Sequence, residues 1–559
     1  MDLADVELDV TNLRGRRAVN RWERTSIGDV FERLTWSYPD KVAITGWAGA
    51  YADERLRSVT YRQADEIANQ LANALLGRGL LPGARVLLFC ENSVEAYLAK
   101  IGIAKAGMVA VPVNPMLATD VLEHVIAQTE PGFAIVDAEL WPRAEKAFGN
   151  AGLAVGATIA IGGAAVGDSP TFSEFVHDAP ATEPDVTIHG DDIWELLFTS
   201  GTTAMPKGVM LSHNAGYLAG FNFAVSLTRG IRLDCDLRVG TFLPIIYHIG
   251  DQIFTLSAFL AGGSLVIGRK PDAGQVAAAI EAERITALWA GSPQFVTALA
   301  AEIDAKEFDA TSLTVLVYGW GALPPSTYET LRRRTTEDLV VIGIFGQTET
   351  IACHRFWPAK WPEVYERTAP RINYVGMPSP LLASDVVDEL GRSVRDTPGV
   401  PGEAVYRSPT VTAGYYLNET ATREAFRGGW FHSGDSTTVD ENGLRIMVDR
   451  FKDIVKSGGE NVSSIRVEAV LHEHPAILRA AVIGLPHSRW GEAVTAVVIL
   501  REGAAATADD IIQHCRDRLG GYETPKAVVF TAELPETVGG KILKYKLRNQ
   551  HAQMFDDEQ

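Results

Sequence analysis

The sequence predicts an α/β protein. A large N-terminal domain of doubly wound α/β sheets with a small β-rich subdomain is expected, followed by a small α+β C-terminal domain. Three observations carry that expectation. Short apolar runs alternate with stretches of helical periodicity as far as Ile344. After Pro380 the texture turns to short strands and tight turns, and after Asp449 it turns again to a mixture of helix and strand. That last stretch, about 110 residues, is long enough for a separate domain. The boundary is placed near Asp449–Lys452, giving units of 1–450 and 451–559.

The elements follow in order. Residues 1 to about 30 read as a polar lead-in. Thr60 is a helix cap, because Ala64, Ile67, Ala68, Leu71 and Leu75 fall on one apolar face beyond it. The run Ala84–Phe89 reads as a buried parallel strand, Tyr97 to Ala106 as the next helix, and Val109–Val113 as the next strand. Further strands are expected at Phe133–Val136, Ser264–Ile267, Ala287–Trp289, Val315–Val317 and Val340–Ile344. The later texture predicts strands at Ser384–Asp388, Gly402–Tyr406 and Gly443–Val448. Beyond it come a helix near Ile465–Glu473, strands at Ala480–Ile483 and Thr495–Leu500, a helix from Ala508 to Leu519, and a strand at Ala527–Phe530.

Composition narrows the function classes. A chain of 559 residues is too long for one ordinary core. A formal net charge of −19 argues against nucleic acid as a general partner, since a phosphate backbone is bound by basic surfaces. Cys90, Cys235, Cys353 and Cys515 lack CxxC spacing and read as reduced residues rather than a disulfide framework or metal site. The acidic N-terminus has no signal-peptide core, and the Gly/Ala-rich stretch 151–167 is too short for a membrane span. A cytoplasmic protein is expected.

The chemistry is concentrated in seven motifs. Residues 199–209 read TSGTTAMPKGV. Thr199, Ser200, Gly201, Thr202 and Thr203 supply hydroxyl and backbone donors for phosphate, and Lys207 a point charge. The order is the reverse of a loop ending in Gly-Lys-Ser/Thr at a helix N-terminus. Apolar runs at Ile193–Phe198 and Val209–Leu211 make it a strand-to-strand turn. Phe345–Gly346–Gln347–Thr348–Glu349 follows a strand, at the end where doubly wound sheets bind ligands. Trp430–Asp435 ends in Gly-Asp and precedes Asp449–Arg450. Lys452–Val462 contains Ser457–Gly458–Gly459, and Pro535–Lys541 places Lys541 after two glycines. Leu243–Gln252 carries Tyr247, His248 and Asp251, and Tyr318–Pro324 carries Gly319, Trp320, Gly321 and Ala322.

Taken in this order, the motifs resemble the adenylate-forming superfamily of acyl-CoA synthetases, peptide-synthetase adenylation domains and beetle luciferases. The resemblance spans roughly Thr60 to Arg548. It implies ATP and CoA as substrates and Mg²⁺ as cofactor. The implied roles are phosphate binding for Thr199–Thr203, Lys207 and Thr348, with adenine between Phe345, Gly346, Gln347 and the Gly321–Ala322 loop. Ribose falls to Asp435, ribose or phosphate to Arg450, and Mg²⁺ to Glu349 with Thr202. The small domain is implied to be mobile about a hinge at Lys452. Lys541 is then catalytic for adenylation, with Lys207 and His248, while Ser457, Gly458 and Gly459 border the CoA tunnel. Tyr247, His248, Asp251, Gly319 and Trp320 fall to the acyl pocket.

Four departures accompany the resemblance: Ala204 for a glycine, Asp251 for a glycine, Trp320 for a small residue, and Ser464–Arg466 in place of the usual proline-to-glutamate step. The implied activity is an ATP-dependent acyl-CoA synthetase passing through an acyl-adenylate. Family frequency favours a medium- or long-chain fatty acid. Asp251 is expected to add a charge near the acyl pocket, and with Trp320 it keeps carnitine-like, aryl and polycyclic acids open. A luciferase-type oxidoreductase and a carrier-protein-loading enzyme are the rival classes, and a homodimer is left open.

Overall fold

The computed structural model describes residues 20–162, 164–199, 205–228, 235–536 and 542–555. Within them, three sheets organise the chain. The first has six strands, in the order Gly156–Ile159, Phe133–Val136, Arg85–Phe89, Val109–Pro112, Ile193–Thr199 and Lys207–Ser212. All neighbours are parallel except the last pair, which is an antiparallel hairpin. The apolar runs of the parallel strands are buried throughout, as sheets covered on both faces require.

The second sheet is a continuous path of 13 strands. Its parallel part runs Val340–Phe345, Val315–Gly319, Ala287–Gly291, Arg238–Thr241, Ser264–Ile267 and Val42–Gly46. The β-rich region expected after Pro380 begins earlier, at His354–Phe356 and Asn373–Pro378. It is also hydrogen-bonded onto the parallel strands, because His354–Phe356 pairs antiparallel with Val340–Phe345. From there an antiparallel run continues through Arg445–Arg450, Phe431–Val439, Gly402–Arg407 and Ala383–Val387.

Local chemistry explains where helices start. Thr60 and Gln63 form a reciprocal capping box on Tyr61–Gly77, which buries Ala64, Ala68, Leu71 and Leu75. Ser93 caps Val94–Lys105 and Ser212 caps His213–Leu227. The helix His213–Leu227 carries Gly216 and Gly220 where the turn of Asp251–Thr255, wound as a π-helix, packs against it. A Cβ on Gly216 would stand 2.8 Å from Gln252 Oε1, so that close approach requires glycine.

The third sheet is small: Glu460–Val462, Val455–Ser457, Gly491–Leu500 and Ile477–His487, with Ala527–Phe530 parallel to Gly491–Leu500. Val462, Val467, Leu471, Val482, Val494 and Ile511 form its core beneath the helices Ser464–His472 and Ala508–Arg516. The segment expected as a hinge and loop is a two-residue hairpin here, with Gly458 and Gly459 both at positive φ. That conformation favours glycine at both turn positions. Cys90, Cys353 and Cys515 are buried and Cys235 half-buried, all as free thiols. Among the described residues no helix is long and apolar enough to cross a membrane.

Candidate active site

The hairpin Ile193–Thr199/Lys207–Ser212 places Thr199 opposite Lys207 at its open end. Thr199 Oγ1 donates to the Lys207 carbonyl at 3.5 Å. Ser200, Gly201, Thr202, Thr203 and Ala204 lie outside the described residues, as does Lys541. Lys207 directs its ammonium over the ring of Tyr415, 4.9 Å from the centroid. The Tyr415 hydroxyl in turn donates to Glu349 Oε1 at 3.0 Å. Burial pushes the Glu349 carboxyl above its usual range, with the nearby Arg450 charge opposing.

Tyr415 was not anticipated from sequence. It belongs to a strap that joins two of the motifs. Met210 N–H donates to Gly414 O, Tyr416 N–H to Gly208 O, and Thr412 N–H to Glu349 O, at 2.7–3.0 Å. The strap therefore ties the phosphate-loop hairpin to the Gly346–Glu349 turn. Its only local signal is a Gly-Tyr-Tyr step between a strand and the helix Glu419–Ala425.

On the other side of that turn, Gln347 Nε2 donates to Ser433 O at 3.0 Å and to the Asp435 carboxylate. Asp435 is fully buried, stands opposite Arg450 across two paired strands, and meets its Nε at 3.1 Å. Gln347, Asp435 and Arg450 thus converge, as their sequence order suggested. Gly346 is held against Cys353, whose Sγ would stand 2.9 Å from a Cβ there. Thr348 lies in the same turn, and Phe345 rests edge-on to His354 at 6.5 Å. Gly321 faces Pro293, and Ala322 lines a small cavity with Tyr318, Phe356 and Tyr365.

The candidate acyl segment sits at the ends of neighbouring parallel strands. His248 Nδ1 accepts the Gly250 N–H at 3.0 Å. Its ring meets Trp320 edge-on at 6.1 Å. Trp320 is 43% exposed and held at φ +67°, a left-handed conformation that glycine prefers. Its ring also meets Trp289 at 5.5 Å, and Trp289 stacks on Phe254 at 4.6 Å with 14° between the planes. Gly291 makes room for this arrangement: a Cβ there would stand 2.6 Å from Leu243 and 3.1 Å from Trp320. Gly319 lies above Trp289, and the Tyr247 hydroxyl donates to Glu91 at 3.0 Å.

Asp251 does not carry a spare charge into this pocket. The residue is 2% exposed and pairs with the buried ammonium of Lys100, which also pairs with Glu195. Gln252 Nε2 donates to the same Glu195. This corrects the expectation drawn from Asp251. The π-helical turn swings its side chain inward, and Lys100, from a distant helix, neutralises it.

Beyond Arg450, Lys452 is exposed on the turn leading to the small sheet. Ser457 is buried opposite Glu460, and Gly458 N–H donates to Trp490 O at 2.8 Å. No atom lies within 4 Å of where a Gly459 Cβ would be.

The arrangement can do polyphosphate chemistry: a lysine on the hairpin of the first sheet, a carboxylate held by a tyrosine, and a carboxylate–arginine pair on the second sheet are linked through Tyr415 and Gln347. Comparison with known proteins agrees. Residues 31–416 match the AMP-binding enzyme family, and residues 466–541 match the AMP-binding enzyme C-terminal domain. The chain is 34% identical to feruloyl-CoA synthase of Amycolatopsis sp over 494 residues, covering 88% of this chain and 94% of that one. It is 28% identical over 538 residues to the long-chain-fatty-acid–CoA ligase FadD13 of Mycobacterium tuberculosis, covering 93% and 99%. Among solved structures, the anthranilate CoA ligase AuaEII in complex with anthranoyl-AMP superposes with a TM-score of 0.80 at 26% identity, covering 94% and 97%. The chain belongs to the AMP-binding enzyme family and is an AMP-forming acid–CoA ligase, with ATP and CoA as the substrates that membership implies.

Proposed function

We propose that the acid this enzyme activates is a compact aromatic carboxylic acid, in place of the medium- or long-chain fatty acid that family frequency favours. The observation that carries this reading is Trp320. An indole stands where the family has a small residue, and it meets His248 and Trp289 edge-on. Such a wall shortens a cavity and offers edges and faces to a flat ring, which aromatic pairs favour over an alkyl chain. The feruloyl-CoA synthase and the anthranilate CoA ligase among the similar proteins, both named for aromatic acids, lend support.

In this reading Thr199–Thr203 and Lys207 hold the phosphates with Thr348. Phe345, Gly346, Gln347, Gly321 and Ala322 hold adenine, and Asp435 with Arg450 holds ribose. The residues fit Mg²⁺, because Glu349 offers a half-buried carboxylate oxygen beside the hairpin that bears Lys207, the kind of donor Mg²⁺ takes. Bound there beside Thr202, Mg²⁺ would supply neutralising charge to phosphate oxygens. A substrate carboxylate oxygen attacks the α-phosphorus of ATP and pyrophosphate leaves, with Lys541 and Lys207 stabilising the charge that develops. We place the domain boundary at 450/451, with Lys452 as hinge and Ser457–Gly459 bordering the path of CoA. The CoA sulfur then attacks the acyl carbon, its proton is lost, and AMP departs.

The test is pyrophosphate release from ATP over a panel of benzoic, cinnamic and straight-chain acids, each with and without CoA, with products weighed by mass spectrometry. Aryl-CoA thioesters as the dominant products are expected. Turnover confined to straight-chain acids would refute the aromatic reading. Acyl-adenylate that never becomes a thioester would point to a carrier-protein or oxidoreductase reading.

A further inference from the structure

One polar group beside the acyl segment has no use within the protein. Trp289 is 4% exposed, and its Nε1 has no hydrogen-bond partner among the described residues. Buried indole N–H groups ordinarily find an acceptor, and an unmet donor retains its full desolvation penalty. The direction of this donor is set by geometry. A Cβ on Gly250 would stand 3.5 Å from Trp289 Nε1 and 3.1 Å from His248 Nδ1. Trp289 Nε1 and the histidine ring therefore flank the same small gap over Gly250, which a single methyl group would fill. The indole cannot turn away from it, because its ring is stacked on Phe254 and wedged by Trp320. The second unmet indole N–H, that of Trp194, lies elsewhere, with its ring stacked on His213 and beneath Lys100.

We infer that the Trp289 N–H is a specificity-determining donor for an oxygen on the substrate's ring, so that the preferred acid is an aromatic acid bearing a hydroxyl or methoxy group. This rests on the aromatic reading above and narrows it. A neutral donor in an apolar, water-poor site discriminates by what it leaves unpaired. An acid with the ring oxygen satisfies the indole, and the deoxy acid leaves the N–H buried and unpaired.

The experiment compares kcat/KM for matched pairs of benzoic and cinnamic acids, with and without one ring hydroxyl or methoxy group, in the wild type and in Trp289→Phe. Phenylalanine keeps a ring against Phe254 and removes the N–H together with the bulk of the second ring, a packing change that both members of a pair meet. The wild type is expected to prefer the oxygenated member of at least one pair by about tenfold, the scale of one neutral hydrogen bond. In Trp289→Phe that preference should disappear, through a KM raised more for the oxygenated acid than for the deoxy acid. A wild type without any such preference overturns the inference, even if the variant does not fold. A variant that weakens both members equally also overturns it, since that pattern marks a donor to the carboxylate or a packing role. An enzyme that turns over only straight-chain acids fails at the parent reading instead, and the wild-type panel alone reveals it.

Discussion

Trp320 occupies a backbone conformation that costs a bulky residue on the order of 1–3 kcal/mol, and it persists only because its surroundings over-determine it. Those surroundings are Gly291, Trp289 and His248. Replacing Trp320→Gly removes both the strain and the wall. We expect the variant to fold and to gain at least about tenfold in relative kcat/KM for acids longer than the wild-type optimum, the scale of one or two accommodated methylenes. An unchanged length profile in a substrate panel would show that the indole does not bound the pocket. Glu349 and Tyr415 illustrate the reverse case. FGQTE was legible from its place after a strand, whereas Tyr415 was not, because its role arises only when a segment 66 residues further on folds back to it. His248, Lys207, Asp435 and Arg450 were legible as residue types in order. Their distances were not.

At the scale of elements, one buried ammonium links three. Lys100 lies on the helix Val94–Lys105, Glu195 on the strand that leads to the phosphate loop, and Asp251 on the π-helical turn after His248. Tyr97 and Thr255 hydrogen-bond to each other alongside at 2.9 Å. Two carboxylates against one ammonium in a water-poor site cannot both ionise at ordinary cost, and burial pushes both carboxyls upward, with Glu195 adding to the rise at Asp251. The sign follows from proton counting. The native state keeps a proton that the unfolded chain releases near pH 4. Above that pH the folded state binds more protons, so this cluster's contribution to stability declines as pH rises toward and through neutrality. Asp251→Asn removes the surplus carboxyl. Its melting temperature, measured across pH 5–8, should fall less steeply with pH than that of the wild type. Parallel curves would show that the proton resides elsewhere.

At the scale of the molecule, the last strand of the large sheet is tied to the small domain. The Asp449 carboxylate accepts from Ser464 N–H at 2.7 Å and from Ser464 Oγ. Lys544 pairs with Glu468 at 2.8 Å and hydrogen-bonds the same serine. Arg371 and Glu473 add an exposed pair at 2.6 Å. Ser464 lies in the stretch 463–468 that departs from the family's proline-to-glutamate step, and a proline in its place would have no N–H to give Asp449. The hinge proposed at Lys452 would separate Asp449 from Ser464 on rotation. Asp449→Ala should therefore shift the ratio of pyrophosphate exchange to thioester formation by about tenfold, the worth of one charge-assisted hydrogen bond. Equal loss in both half-reactions would mark Asp449 as a structural residue only.

Periodicity and capping were enough to determine most of the alternating elements and the small α+β unit, because hydrophobic patterns and helix caps are local, though not the parallel strands Val42–Gly46 and Arg238–Thr241. Motif order was enough to indicate an adenylate-forming enzyme, because each phosphate or ribose contact draws on a short contiguous segment. Tertiary structure alone decided the rest. The antiparallel strands joined the large sheet, the 410–416 strap tied Glu349 to the phosphate-loop hairpin, Lys100 took up Asp251, and Trp289 was left with an unmet donor over Gly250. Each of these depends on groups brought together from far apart in the chain, and burial, which sets both the charge balance and the cost of an unpaired donor, exists only once the chain has folded.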